Sequence, residues 1–377
     1  YAEREGVPAV MVTASHNPAE YNGVKLVGAD GVELPVAELE RVERKFLTEQ
    51  FDAVAWDEVG SDRDVGRARR RYLTQPARRG GPRSHRGRES HRGARPGPRC
   101  GFAHQPRVLP PPRLQGRHRE QPARRPLPRP RPRTRRGEPR RPRPPRAGGD
   151  ADVGIAHDGD ADRAIFFDEH GEYVEGDATL AALAEAELSE SDTTVSAVNV
   201  SQRLVDVCDR TGADLELTPI GSTQIMTRIR QLESEGESVP VAGEGNGGII
   251  FPGYRTTRDG AYTGARFLEL LADRTVSEVV APYSDYYNVR VNVGYDNDAE
   301  REALLGAAEE RALEADVDRT TIDGYRLDYG DAWVLARPSG TEPVVRIYAE
   351  AADRNRARSL AEEFAAAMRA AKAGVGE

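Results

Sequence analysis

Three carboxylates stand at alternate positions in the run Asp158-Gly159-Asp160-Ala161-Asp162-Arg163. Alternate carboxylates on an extended loop can converge on one hard cation, which prefers oxygen ligands. Gly159 lets the backbone turn tightly. Arg163 beside them suits a phosphate, whose oxygens match a guanidinium fork. A calcium EF-hand shares part of the pattern: with Asp158 as position one, Asp160 and Asp162 fall at three and five and Glu169 at twelve. The sharp-turn glycine of position six is Arg163, however, and the flanks at 153–156 and 164–167 read as strands rather than helices. Magnesium next to a phosphate fits the run better, with an acidic surface turn as the plain alternative.

Three further loops carry chemistry. Thr13-Ala14-Ser15-His16-Asn17-Pro18 directly follows a strand pattern, where loops of α/β proteins build active sites. Ser15 is a candidate nucleophile or phosphoryl carrier; alone, a turn serine is the commoner meaning. Pro18 and the Asn22-Gly23 turn fix the loop's path, and Lys25 can reach back to an anion. Gly243-Glu244-Gly245-Asn246-Gly247-Gly248 lets backbone approach a ligand, while Glu244 and Asn246 offer hydrogen-bonding groups to hydroxyls. Its spacing does not fit a dinucleotide loop, and a flexible turn is the alternative. Arg258-Asp259-Gly260 downstream can brace the same site or form a surface turn. Arg337-Pro338-Ser339-Gly340-Thr341-Glu342-Pro343, with Arg346, gathers guanidinium, hydroxyls and a glycine-freed amide into an anion cradle suited to phosphate.

Strands must alternate with helices to hold these loops. Strand patterns at 7–12, 153–156, 164–167, 194–198, 215–218 and 239–242 alternate with helical patterns at 37–48, 177–188, 201–211 and 223–233. That order predicts mixed or parallel α/β sheets covered on both faces. The 7–12 strand reads as buried. From about Tyr283 the pattern changes to α+β: strands at 287–293, 332–335 and 344–349, and helices at 298–315 and 355–371 with Asn355 as N-cap. The domains expected are therefore 1–64, 150–176, 177–282 and 283–377.

Residues 65–149 break this order. They hold 27 Arg, no Lys and 3 acidic residues, a balance of +24, together with 17 of the 26 prolines. The net charge of −8 thus leaves −32 on the rest of the chain, which has three lysines. Dense carboxylates with so little lysine point to a protein of concentrated salt, a halophile, with an ordinary acidic soluble enzyme as the plain alternative. So little apolar content and so much proline predict disorder over 65–149. A nucleic-acid-binding arm and a plain linker are two explanations. Yet no aromatics interleave with the arginines as stacking platforms; Tyr72 and Phe102 stand alone. A reading-frame shift explains more. GC-rich codons such as GAC, GCC and GTC, read one base over, give Arg, Pro, Ala, Gly and His, and the seam near Gly148 is abrupt.

The chain opens at Tyr1 within what reads as a helix end, so an upstream part is expected to be missing. No run of apolar residues is long enough to cross a membrane. Two cysteines in no disulfide or metal spacing favour a reducing, cytoplasmic setting.

Taken in order, TASHNP, DGDADR, GEGNGG and RPSGTEP resemble the four signature loops of the α-D-phosphohexomutase family, over residues 1–64 and from about 150 onward. The resemblance implies four domains around a cleft: three α/β domains and a smaller α+β phosphate-binding one, with 65–149 standing where most of the second belongs. It implies that Ser15 is a phosphoserine and that Asp158, Asp160 and Asp162, with the phosphoserine oxygen, hold Mg2+. Arg163 would contact the phosphoryl group. His16 and Lys25 would line it, with Lys25 a candidate for proton transfer. Glu244 and Asn246 would read the sugar, and Arg337, Ser339, Gly340, Thr341 and Arg346 would hold the substrate phosphate. Asn246 replaces the family's usual serine, and Gly248 stands where many relatives carry a histidine, which leaves the general acid–base unassigned. GEGNGG followed by IIFP and RDG is most similar to archaeal members described as phosphoglucosamine or broad phosphohexose mutases. The implied activity is phosphoryl transfer between the 1 and 6 positions of a hexose phosphate. Glucosamine phosphate is favoured, and glucose or mannose phosphates are the alternatives. The basic segment predicts little turnover for the chain as written. A nucleic-acid-binding protein and a non-catalytic sugar-phosphate sensor are the competing functions.

Overall fold

The computed structural model describes residues 1–13, 23–74, 100–102, 151–340 and 342–375. A short helix, α1 (Ala2–Glu5), leads into an antiparallel pair, β1 (Ala9–Thr13) and β2 (Gly23–Val27). The sequence predicts a buried strand here, yet Val10, Met11 and Val12 are 65%, 54% and 70% exposed. A two-stranded ribbon has no further layer among the described residues to cover it, so apolar side chains alone cannot bury it. The helix α2 (Val36–Leu47) follows.

The helix α3 (Ala68–Thr74) falls inside the stretch that composition assigns to disorder. Tertiary contacts hold it. Tyr72 donates to both carboxylate oxygens of Asp259 at 2.9 and 3.1 Å, and Arg71 reaches Glu5 at 3.5 Å. Composition averaged over the whole stretch hides these seven residues. A second element of the stretch, β3 (Cys100–Phe102), runs parallel to β4 (Val153–Ala156). The remainder of 65–149 lies outside the described residues. β4 continues antiparallel into β5 (Ile165–Phe167) and β6 (Tyr173–Val174), so the aspartate run joins two strands of a hairpin. That excludes the helix–loop–helix of an EF-hand.

The next unit runs α4 (Gly176–Glu187), β7 (Thr193–Ala197), α5 (Gln202–Thr211), β8 (Asp214–Thr218) and α6 (Ser222–Glu235). It continues through β9 (Ala242–Glu244), β10 (Gly248–Phe251), β11 (Arg255–Arg258), α7 (Gly260–Leu270) and α8 (Val276–Val280). The sheet order is β11-β10-β9-β7-β8, with β7 parallel to β8 and β9, and β10 and β11 antiparallel. Every residue of β7 is buried, as a central strand covered on both faces requires. Leu180, Leu204 and Phe267 fill one core, Ile225, Met226 and Ile229 the other.

The last unit comprises β12 (Tyr287–Gly294), α9 (Asp298–Glu314), β13 (Asp318–Thr320) and β14 (Tyr325–Asp328), then β15 (Ala332–Pro338), β16 (Val344–Ala351) and α10 (Arg354–Val375). Its strands form one antiparallel sheet, β12-β16-β15-β14-β13. Asn355 lies inside α10 instead of capping it. Asp353 is the cap, its Oδ1 accepting from the Arg356 amide at 2.8 Å, because the cap oxygen must sit three residues before the amide it satisfies. Among the described residues no helix is long and apolar enough to cross a membrane.

Candidate active site

The β4–β5 hairpin brings the three aspartates together: one carboxylate oxygen from each of Asp158, Asp160 and Asp162 lies within 4.8 Å of the others. The loop doubles back at Ala161, whose φ of 57° is left-handed, rather than at Gly159. Such a residue is held in place only by its surroundings. Here Gly260 donates to the Ala161 carbonyl at 3.1 Å, and a Cβ at Gly260 would meet the Arg163 carbonyl at 2.3 Å. His157 Nδ1 sits 2.7 Å from the same Arg163 carbonyl. The loop is thus clamped from both sides.

Cationic side chains surround the triad. The Arg163 guanidinium lies 3.6 Å from Asp158 Oδ2 and 3.7 Å from Asp162 Oδ1, and its amide donates to Asp158 Oδ1 at 3.3 Å. Lys25 Nζ, on β2, bridges Asp162 Oδ2 at 3.2 Å and Glu33 at 3.5 Å. Asp162 Oδ1 is buried and, among the described residues, accepts no hydrogen bond. An all-oxygen donor set with such an atom fits a hard divalent cation. Glu169, at position twelve of the calcium pattern, is committed elsewhere. It accepts from the Ser277 amide at 3.2 Å and from the Ser277 hydroxyl. Burial alone raises its pKa, but the Ser277 bonds hold it below the usual carboxylate range.

Thr13, the last residue of β1, donates from its hydroxyl to Asp160 Oδ2 at 3.0 Å. The stem of the serine loop is therefore anchored on the triad across 147 residues of chain. Ser15 and His16 themselves lie outside the described residues, as does Thr341. A cavity of about 720 Å³ opens beside the triad, lined among others by Lys25, Asp160, Asp162, Arg258 and Tyr72.

The glycine-rich loop between β9 and β10 closes on the same place. Asn246 Nδ2 donates to Glu244 at 3.2 Å, and Asn246 Oδ1 accepts from the Gly248 amide at 3.0 Å. The Gly247 carbonyl accepts from Ala164 at 3.0 Å, tying this loop to the end of the aspartate run. Arg258 joins the two loops, with Nη2 2.5 Å from Asp162 Oδ2 and Nη1 3.7 Å from Glu244 Oε2. The bracing role of 258–260 is thereby found. Thr13 and Glu33 are partners that sequence reading leaves out.

In the last unit the predicted phosphate cradle sits between β15 and β16. Arg337 pairs with Asp323 at 3.0 Å, which also accepts from the Ile220 amide at 3.0 Å. Arg346 pairs with Glu342 at 2.7 Å. Ser339 Oγ accepts from the Glu342 amide at 3.2 Å, and a Cβ at Gly340 would touch nothing within 4 Å. The cradle presents two arginines and an open glycine.

Family models for phosphoglucomutase/phosphomannomutase match three parts of the chain. Domain I matches residues 1–53, domain III residues 175–286, and the C-terminal domain residues 287–367. A phosphoglucomutase/phosphomannomutase of Thermococcus kodakarensis is 33% identical over 367 residues, covering 93% of this chain and 76% of that protein. A probable phosphoglucosamine mutase of Methanococcoides burtonii is 33% identical over 381 residues, covering 97% and 81%. The X-ray structure of a phosphoglucomutase/phosphomannomutase family protein from Burkholderia thailandensis shares the fold. Its TM-score is 0.67 at 21% identity, over 97% of this chain and 76% of that one. The chain belongs to the phosphohexomutase family, archaeal type, and so to the isomerases that act as intramolecular phosphotransferases.

Proposed function

We propose that the chain is a phosphohexomutase acting through a phosphoserine at Ser15 and a hexose bisphosphate, with glucosamine phosphate as its preferred substrate. The observation that carries this reading is the Thr13–Asp160 hydrogen bond, which ties the stem of the Ser15 loop to the carboxylate triad. Phosphoryl transfer is governed by charge neutralisation and in-line placement, and Arg163 and Lys25 contribute to the first as cations. Mg2+ held by Asp158, Asp160, Asp162 and a phosphoserine oxygen would, when bound, neutralise charge on the transferring group.

The remaining work falls to side chains. The phosphoserine P–O bond breaks as a P–O bond to a sugar hydroxyl forms. That hydroxyl gives up its proton to a base the sequence leaves unassigned, and the departing Ser15 oxygen takes up a proton, for whose transfer the Lys25 ammonium is the candidate. Arg163 neutralises the oxygens in transit, and His16 lines the phosphoserine. Arg337, Ser339, Gly340, Thr341 and Arg346 hold the other phosphate, while Glu244 and Asn246 read ring hydroxyls. The bisphosphate then turns end for end and returns its second phosphate to Ser15. Anchoring by phosphate suits this step because it serves both orientations of the sugar.

We read the Arg/Pro-rich stretch beyond α3 as translated out of frame, in place of most of the second domain, so the chain as written is expected to turn over poorly. The names of its relatives favour glucosamine phosphate without excluding glucose and mannose phosphates. The test is interconversion of glucosamine 1- and 6-phosphates by a version with the stretch translated in the shifted frame. Conversion that disappears in Ser15→Ala supports the reading. Turnover of glucose or mannose phosphates alone overturns the substrate, and no turnover of any of them overturns the function.

A further inference from the structure

Arg258 reaches from the third domain into the aspartate loop. Its side chain is 9% exposed, and the two carboxylates it faces, Asp162 and Glu244, are 13% and 9% exposed. One belongs to the candidate cation site and the other to the glycine-rich loop. Withdrawn from water, they would repel without a cation between them. A guanidinium can address both at once through separate nitrogens, which an ammonium cannot.

Gly248 makes this path possible. A Cβ there would lie 2.6 Å from Arg258 Cδ and 3.2 Å from its Nη1. The arginine side chain thus occupies the space that any side chain at 248 would claim. Its two contacts are unequal: 2.5 Å to Asp162, shared with Lys25, and 3.7 Å to Glu244.

We propose that Arg258 is a positioning residue that couples cation occupancy at the aspartate triad to hexose-phosphate binding at Glu244. The inference rests on the mutase reading of the two loops. A cation at the triad shares the Asp162 charge and weakens its hold on the guanidinium. Arg258 then pairs more closely with Glu244 and fixes that carboxylate for the sugar hydroxyls. Linkage makes the effect reciprocal: bound sugar phosphate tightens the cation site by the same factor.

The experiment is calorimetric titration of the full chain with Mn2+ and with glucosamine 6-phosphate, each alone and each in the presence of the other. In the parent, Mn2+ is expected to lower the Kd of the sugar phosphate at least about fivefold, as coupled sites commonly do. Arg258→Gln, Arg258→Lys and Gly248→Ala are each expected to cut that ratio below about twofold, with the melting temperature of the ligand-free chain showing that the fold is kept. Gly248→Ala retains the charge but displaces the side chain, and Arg258→Lys retains the charge but not the fork. A parent ratio that survives in Arg258→Gln, or in Arg258→Lys, overturns the proposal. So does a parent that binds both ligands with no effect of one on the other, which leaves the mutase reading standing. A parent that binds neither ligand overturns both.

Discussion

Arg203 and Glu350 form an ion pair at 3.3 Å with side chains 3% and 0% exposed, and around it the third domain meets the fourth. Glu350 accepts from the Ser201 hydroxyl at 3.0 Å, the Gln202 amide at 2.7 Å and the Trp333 indole at 3.2 Å. Arg203 donates to the carbonyls of Tyr283 and Tyr286, which lie in the connection between the domains, at 2.5 and 2.6 Å. The domain that holds the glycine-rich loop and the domain that holds Arg337 and Arg346 therefore share one polar hub.

Removing one partner of such a pair leaves the other buried and uncompensated, at about 3–5 kcal/mol. Glu350→Ala is expected to lower unfolding free energy by about that amount, and Glu350→Gln by less, because the amide oxygen still accepts. Urea denaturation measures both. A loss no larger than that of a surface substitution, within about 0.5 kcal/mol, contradicts the assignment.

Asp177 gives a pH dependence of known sign. Withdrawal of its carboxyl from water pushes its pKa from 3.8 up to about 7, with Glu350 and Glu175 adding repulsion and Arg203 opposing. Between these values the folded chain keeps a proton that the unfolded chain releases. Stability from this group is therefore highest below about pH 4 and declines as pH rises to about 7. Asp177→Asn is expected to flatten that slope relative to the parent and to be the more stable of the two at pH 8. Melting temperatures across pH 4–8 check it.

Gly176 and Gly264 should respond oppositely to alanine. A Cβ at Gly176 would sit 2.1 Å from the Gly245 carbonyl, backbone that cannot step aside. Gly176→Ala is expected to cost at least about 1–3 kcal/mol and, on the sugar-reading role proposed for the glycine-rich loop that contains Gly245, to weaken sugar-phosphate binding. A Cβ at Gly264, inside α7, would meet Ile155 Cδ1 at an ordinary 3.7 Å. Gly264→Ala is expected to stabilise by about 0.5–1 kcal/mol.

Outside residues 65–149 the chain carries a balance of −32. Self-repulsion of that size is screened by salt, because the Debye length falls to about 3 Å at 1 M. Raising KCl from low to molar concentration is expected to raise the melting temperature. A melting temperature independent of salt contradicts the halophilic reading.

Features of the fold fixed by local pattern are legible in the sequence. Asp158, Asp160 and Asp162 converge because their spacing and the flanking strands require a hairpin. Helices such as α9 and α5 appear within a residue or two of their periodicity, with Ser201 at the cap of α5. The rest depends on distance in space. β10 and β11 are short, and β10 begins on the last of the run's four glycines, so they carry little periodic signal. β1 looks apolar enough to be buried, and only its lack of a covering layer leaves it exposed. Tyr72 binds Asp259 from within a stretch whose composition argues against order. The Arg258–Asp162 contact joins residues 96 apart, and no local spacing announces it.

The most direct test of the central claim is phosphate transfer to Ser15. The full chain is incubated with Mg2+ and a hexose 1,6-bisphosphate, and its peptides are mapped by mass; one transfer suffices, so slow turnover does not hide it. A single phosphate on Ser15 is expected, absent in Ser15→Ala and strongly reduced in Asp160→Asn. A chain that binds Mg2+ yet stays unmodified, or whose labelling is indifferent to Asp160, contradicts the claim.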